Sequence, residues 1–515
     1  MTRTLFRNGV VHAAVNPTAL AVEDDRIVFT GSEDAANAYD GTGEGAGQVV
    51  DLHGALVAPG FVDAHLHTVR TGFALTGLDL TGLPTLEALL DELRAFADKS
   101  PDLGVVVGQG WDETGWPEGR PPTGEELERA APARRCYLTR VDGHSSVVSP
   151  ALAALVPGLE GLDGWTADGR VERDAHHAVR AVLEGLVGPD QRLEAARAAC
   201  RTMAARGITA FHENAAPHIG PESEIDVVRQ AAAEVGVRAT VYWGELDAVE
   251  TAGRLGVEGL AGDLIADGAF GSRTAALSAP YADRPDTCGH AYLSADQVRR
   301  HVVACTRAGL QAGFHCIGDA ALENIREGFE AAEGDLGAET IRQARHRLEH
   351  VEMPSRAMID TMSRLGILAS VQPMFDALWG GPAGMYAARL GGRWAGTNPF
   401  GSLAAAGVGL AFGSDSPVTA LGPWSAVQAA VHRHDEGQRL PAAAAFHAHT
   451  RGGALAGRDD ESGTLEAGMR ADLAVWEVPA GLTADRLPDL APGAAPPRLL
   501  RTVTAGHTTY EGEEA

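Results

Sequence analysis

The segment from Leu56 to His67, LVAPGFVDAHLH, is an apolar run that ends in His-x-His. Residues two apart on a strand point to the same side. His65 and His67 would therefore aim two imidazoles at one point, where a strand end opens into a loop. Such a pair can hold a metal ion and leave coordination positions free for water and substrate. Three further segments end in residues of ligand type: His315 in GFHCIGD, His350 in RLEHVE and Asp415 in FGSDSP. Each has an ordinary alternative. His315 could be a core histidine, His350 part of a charged face with Glu349 and Glu352, and Asp415 a turn or cap residue. Four imidazoles and one carboxylate gathered at one mouth would suit zinc or a similar divalent ion, and metal-assisted hydrolysis is the chemistry they would serve.

A fold that gathers them must bring several strand ends together. Candidate strands are residues 60–67, 207–214, 237–244, 263–270, 310–318, 346–352, 367–373 and 408–417. Most of the stretches between them are rich in Ala, Leu, Arg and Glu, as in residues 191–207 and 294–309, and end in a glycine that suits a helix C-cap. Eight strands alternating with helices indicate an α/β fold, a (β/α)8 TIM-type barrel with its chemistry at the C-terminal strand ends. A doubly wound sheet competes, but no G-x-G-x-x-G follows the first strand. Residues 1–57 and 461–515 read as short strands with turns. They pair into a small composite β-sandwich domain built from both termini, since sheet edges need partners. The barrel then spans 58–460. Residues 68–190, which fit no simple repeat, form an insertion, and the Gly-rich, aromatic segment 375–400 forms an active-site loop.

Composition narrows the function. The net charge of −27 is spread along the chain without a basic block, so nucleic acid and anionic membranes are poor partners. No apolar stretch reaches the length of a membrane span, and the N-terminal residues lack a signal-peptide pattern. Five scattered cysteines without Cys-x-x-Cys argue against a disulfide framework or a thiolate zinc site. The expected location is cytoplasmic. Lys99 is the single lysine, which removes lysine from almost every catalytic role.

The motifs APGFVDAHLH, GWDETGWP, VDGHSSVVS, GITAFHE, ADGAFGSRTA, HCIGDAA, RLEHVE, GSDSPV and GTLEAGMRADLAVWE occur in this order over nearly the whole chain. In them the sequence resembles the amidohydrolase superfamily of metal-dependent hydrolases, in the YtcJ-like branch that includes N-substituted formamide deformylases. The resemblance implies that His65 and His67 bind the more buried metal, and that His315 and His350 bind a second if there is one. Asp415 would contact metal and act as general base and then general acid. It implies one or two divalent ions, zinc first, a small-molecule substrate and a homodimer as the common assembly.

One departure bears on the metal. Many members of the family bridge two ions with a carboxylated lysine four residues before the Asp-Gly of the ADG motif. Here that aspartate is Asp267, and the position four earlier is Asp263. Either Asp263 bridges two metals or the site holds one tight ion; as an ordinary residue, Asp263 would be a turn residue after Gly262. Glu213, at the end of GITAFHE, is a further carboxylate.

The VDGHSS motif faces the pocket in this family, so His144 would hydrogen-bond a substrate carbonyl or oxyanion; otherwise it is a loop histidine. Trp111, Asp112 and Trp116 would form a pocket wall, although aromatics in such loops more often pack. Arg273 could hold a carboxylate or carbonyl through its forked donors. His212 is as suited to supporting a ligand as to touching substrate. Trp379 and Arg393 are weaker candidates, and His447 and His449, in a helical pattern, read as structural. The leading reading is hydrolysis of a non-peptide carbon–nitrogen bond in an amide, formamide or N-acyl compound. The same site could serve an ester or lactone hydrolase, an isomerase or a lyase. A metal-stabilised scaffold is the non-catalytic alternative.

Overall fold

Eight parallel strands follow one another around the central sheet of the computed structural model. They are β1 (Phe61–Leu66), β2 (Ile208–Ala215), β3 (Arg238–Trp243), β4 (Gly259–Leu260), β5 (Gln311–Cys316), β6 (Arg347–His350), β7 (Leu368–Val371) and β8 (Leu410–Phe412). The structure describes residues 3–13, 17–40, 47–101, 103–478, 481–482 and 486–512. Beyond β8 the chain rejoins β1. Leu66 bridges Ser416 in parallel, Asp415 N donates to His65 O at 2.7 Å, and His67 N donates to Ser416 O at 2.9 Å. The sheet is therefore a closed TIM-type barrel. Every residue of β1, β2 and β5 is buried, as strands covered on both faces must be. Gly207 and Gly309, which follow the helices Pro189–Ala204 and Ala295–Arg307, adopt φ of +75°, where L side chains are strained.

The fourth strand differs from the expected 263–270. It is the two-residue stretch Gly259–Leu260, and the chain turns at Gly262 (φ +70°) before Asp263. Residues 263–270 form a loop that pairs with β5 through the isolated bridge Ile265–His315. Asp267 holds this loop down: its carboxylate accepts from the backbone N–H groups of Ala276, Ile317 and Gly318 at 2.7–2.9 Å. The consequence is that Asp263 lies past a strand end, at the barrel mouth, rather than at a strand start.

Two smaller layers flank the barrel. Strands Arg3–Arg7, Ala19–Glu23, Arg26–Gly31 and Gln48–Asp51 make one sheet. Val10–Val11 and Leu56–Pro59 join Leu473–Glu477, Arg498–Thr504 and His507–Glu511 in another. Phe6, Leu20, Ile27, Val57, Leu473 and Val503 share one apolar core, so the composite domain draws on both ends of the chain. Between β1 and β2, the strands Leu78–Asp79, Val106–Trp111, Cys136–Arg140, Ser145–Val148 and Arg170–Glu172 form a separate five-stranded sheet. The turn between Cys136–Arg140 and Ser145–Val148 carries His144. No helix among the described residues is long and apolar enough to cross a membrane.

Candidate metal centre

The barrel closure sets the first contacts of the site. With Asp415 N bonded to His65 O, the Asp415 carboxylate stands 3.5 Å from His65 Nε2 and 3.3 Å from His67 Nε2. This closeness requires Gly413, where a Cβ would lie 2.5 Å from His65 N. Asp263 reaches the same imidazoles from the β4 end, 3.4 Å from His65 Nε2 and 3.5 Å from His67 Nε2, and comes within 3.9 Å of His315 Nδ1. The His315 and His350 rings lie 4.4 Å apart, and His65 and His350 5.0 Å. The backbone is left-handed at His350 (φ +71°), Val351 (φ +50°) and Asp415 (φ +54°). Such conformations cluster where a site imposes them, at about 1–3 kcal/mol each.

Three donor sets result, with the atoms of each within 4.8 Å of one another: His65, His67 and Asp263; Asp263, His315 and His350; and His65, His350 and Asp415. Among the described residues, His65 Nε2, His67 Nδ1, Asp263 Oδ1 and both ring nitrogens of His315 are buried without a hydrogen-bond partner. Buried polar atoms are rarely left so. His65 Nε2, His67 Nε2 and His315 Nδ1 face carboxylate oxygens, the donor chemistry of a divalent ion of zinc type, so these residues fit the metal that the sequence implies.

A buried layer fixes the ring orientations. His65 Nδ1 donates to Glu349 Oε2 at 2.9 Å, and Glu349 in turn accepts from Arg347 Nε at 2.6 Å and Nη2 at 3.0 Å. Arg347 also donates to Ala64 O at 2.6 Å, meets His212 Nδ1 at 2.8 Å and lies over the Tyr242 ring. His350 Nδ1 donates to Gln372 Oε1 at 2.8 Å. Glu213 accepts from Thr68 N at 2.8 Å and from the Thr68 hydroxyl, capping the helix Thr68–Thr76 that begins after His67. Partners of this kind orient ligands and raise their basicity.

Electrostatics separates the imidazoles. Burial lowers His65, but Asp415, Asp263 and Glu349 outweigh it and hold the ring well above the usual histidine range. Burial and the neighbouring His350 push His315 well below it; burial and His65 push His350 down. Burial would raise Asp415, yet His65, His67 and His350 leave it below the ordinary carboxylate range.

The site opens into a cavity lined by His67, His144, Asp263, His315, His350 and Asp415 together with residues of the insertion. His144 stands on this cavity, its ring 5.3 Å from that of His315. An apolar continuation is lined by Phe270, Phe375, Trp379, Met385 and Tyr386, so segment 375–400 does supply a wall. Arg393 does not take part, and donates instead to the carbonyls of Leu390, Ala279 and Pro280.

Five expected substrate contacts are not at the cavity. Trp111 is fully buried in the core of the insertion, its indole N–H donating to Leu138 O at 2.9 Å; Trp116 packs there as well. Asp112 caps the turn at Thr114 and pairs with Arg140. Arg273 is held by Asp283 at 2.7 Å and does not line the cavity. His212 lies beneath the metal donors against Arg347. His449 bonds Val62 O and His447 is exposed, as their structural reading requires. Trp111→Ala is therefore expected to destabilise the protein by about 3–5 kcal/mol in denaturant unfolding, with metal content unchanged. A variant of wild-type stability that loses only substrate affinity would return Trp111 to the pocket.

The cavity also holds residues that the sequence reading did not single out: Arg70, His176, His177, Arg180 and His218. Two signals pointed to some of them. Arg70 follows His67 within one helical turn, and His176-His177 is an adjacent pair on the helix Arg173–Leu186.

The amidohydrolase family matches residues 48–513 of the chain. The chain is 27% identical to YtcJ of Bacillus subtilis over 89% of its own length and 90% of that protein. It is 25% identical to the N-substituted formamide deformylase of Arthrobacter pascens, over 96% and 95%. In fold it resembles an uncharacterised metal-dependent hydrolase of Pyrococcus furiosus, with a TM-score of 0.73 at 23% identity, covering 92% of this chain and 98% of that one. It also resembles the zinc complex of an atrazine chlorohydrolase from Arthrobacter aurescens, with a TM-score of 0.56 at 16% identity over 98% and 94%.

Proposed function

The chain belongs to the amidohydrolase family, and from that premise we propose that it is a metal-dependent hydrolase of a non-peptide carbon–nitrogen bond in a small amide, formamide or N-acyl compound. The observation that carries this reading is the ring of unpartnered donors on His65, His67, Asp263 and His315 at the barrel mouth. The formamide deformylase among the relatives supports the bond class.

His65, His67, Asp263, His315, His350 and Asp415 would hold the metal. When bound, a divalent ion, zinc first, supplies Lewis-acid polarisation of the scissile carbonyl and makes water more acidic. Asp415 takes the proton from the attacking water and passes it to the leaving nitrogen, so that the acyl carbon gains OH and the amine leaves with H. Its carboxylate is suited to this, because the surrounding imidazoles keep it ionised. His144, kept neutral mainly by burial, donates a hydrogen bond to the carbonyl oxygen as charge develops there. Glu349 and Gln372 keep the His65 and His350 rings aimed at the centre.

His65, Asp263 and His350 each belong to two of the three donor sets, and of these Asp263 alone is a carboxylate with two oxygens to offer, which favours it in the place of the missing lysine. Elemental analysis for zinc, manganese, iron and nickel is expected to find about two ions per chain in the wild type and about one or none in Asp263→Ala. The metal-loaded protein is then assayed on a panel of amides, formamides, esters and lactones. No metal, together with no gain of activity on adding it, would overturn the reading. Turnover confined to esters or lactones would move it to another bond class.

A further inference from the structure

Around the insertion, arginines are matched to acids. Arg140 contacts Asp112, Glu113 and Asp142, and Arg173 pairs with Asp163. Arg70 and Arg180 depart from this pattern. Among the described residues, the Arg70 guanidinium has no hydrogen-bond or ion-pair partner, although only part of the residue reaches solvent. Arg180 donates to two neutral acceptors, Tyr137 Oη at 3.0 Å and Gly143 O at 2.7 Å, and among the described residues no carboxylate pairs with it. Both line the cavity that holds the metal donors. The same wall carries His176, His177 and His218, with the His177 ring 5.2 Å from that of His218. The acids on this cavity are engaged elsewhere: Asp142 with Arg140 and Ser272, Asp263 and Asp415 with the imidazoles of the centre.

A guanidinium without an ion-pair partner that opens onto a cavity is a ready site for an anion. This chain carries 69 Asp and Glu against 42 Lys and Arg, so acidic partners are abundant, yet among the described residues none forms an ion pair with Arg70 or Arg180. We propose that the substrate is itself an anion, an N-acyl-type compound whose carboxylate or phosphate group is held by Arg70 and Arg180, with His177 and His218 lining the same subsite. The proposal rests on the hydrolase reading above. The guanidinium fork matches two oxygens of such a group. The subsite also connects to the chemistry. Arg180 bonds Gly143 O, and a Cβ on Gly143 would sit 3.4 Å from Arg70 Nη2, so both arginines touch the turn that presents His144. Seating the anion would thereby set the carbonyl against His144.

The test uses metal-loaded enzyme and matched pairs that differ only in the acid group. One pair is N-acetylleucine, of either hand, and N-acetylisoamylamine; the other is N-acetylethanolamine phosphate and N-acetylethanolamine. The anionic member of one pair is expected to be preferred by about 100-fold in kcat/KM, mostly through KM. The two pairs separate carboxylate from phosphate. Arg70→Gln, checked by circular dichroism and metal content, is expected to collapse that preference toward unity, and Arg180→Gln to reduce it. Equal use of both members, or an Arg70→Gln effect that falls on both alike, overturns the proposal and leaves the hydrolase reading intact. If no pair is hydrolysed, calorimetric titration with N-acetylleucine and inorganic phosphate decides. Binding that weakens in Arg70→Gln supports the subsite while the hydrolase reading fails, and absence of binding overturns the subsite.

Discussion

Asp415→Asn is expected to lower kcat by about 1,000-fold or more while leaving the fold in place. The carboxamide has the size of the carboxylate but cannot accept the proton of the attacking water. Asn tolerates the left-handed backbone that position 415 adopts, φ +54°, better than most residues, so the turn joining β8 to β1 should survive. The Asp415 N–H bond to His65 O is a backbone contact and remains available to Asn. Turnover per bound metal, read beside circular dichroism and elemental analysis, separates loss of the base from loss of the ion. Wild-type turnover per metal in Asp415→Asn would remove Asp415 as the proton carrier.

Glu349→Ala is expected to be the most damaging change that touches no substrate. Arg347 and Glu349 are both wholly buried and doubly hydrogen-bonded. Burial works against Glu349's charge, and Arg347 more than compensates, holding the carboxyl far below its usual range. Removing one member of such a pair strands the other charge and costs about 3–5 kcal/mol. It also frees His65 Nδ1, so metal affinity should fall by roughly 10- to 100-fold. Denaturant unfolding and competition with a chelator read the two effects separately. The double change Arg347→Met with Glu349→Leu should recover much of the stability but not the metal affinity, because His65 still lacks its partner. A stability loss below about 1 kcal/mol in Glu349→Ala would mean that Arg347 finds other compensation.

The parts of this site that the sequence made legible are those carried by strands. β1 and the residue after it form an apolar run interrupted at period two by His65 and His67, β5 is one interrupted by His315, and those interruptions are themselves the signal. β4 gave no such signal. Two residues, Gly259–Leu260, are too short for any period, and the more strand-like run that follows is a loop pinned by Asp267. Asp263 was identifiable only by the place of a lysine that is absent. Trp111 illustrates the opposite failure: an aromatic between glycines reads alike whether it faces a ligand or a core, and only the packing of Leu89, Leu93 and Leu138 around it decides. Arg70 and Arg180 were passed over for a further reason. They lie on helices, where a charged residue normally marks the solvent side, and here the polar face meets an internal cavity.

The strand Leu56–Pro59 belongs to the composite sheet, yet after Gly60 the same chain becomes β1 and carries His65. Its antiparallel neighbour, Leu473–Glu477, lies about 400 residues downstream. At ribosomal speeds that separation is about 20–80 s of synthesis. Throughout that interval one edge of Leu56–Pro59 waits for its neighbour, and β1 waits with it for β8 to close the barrel from the other side. The first ligands to be translated are thus among the last to be fixed, and metal capture in this architecture is timed by the arrival of the C-terminal strands.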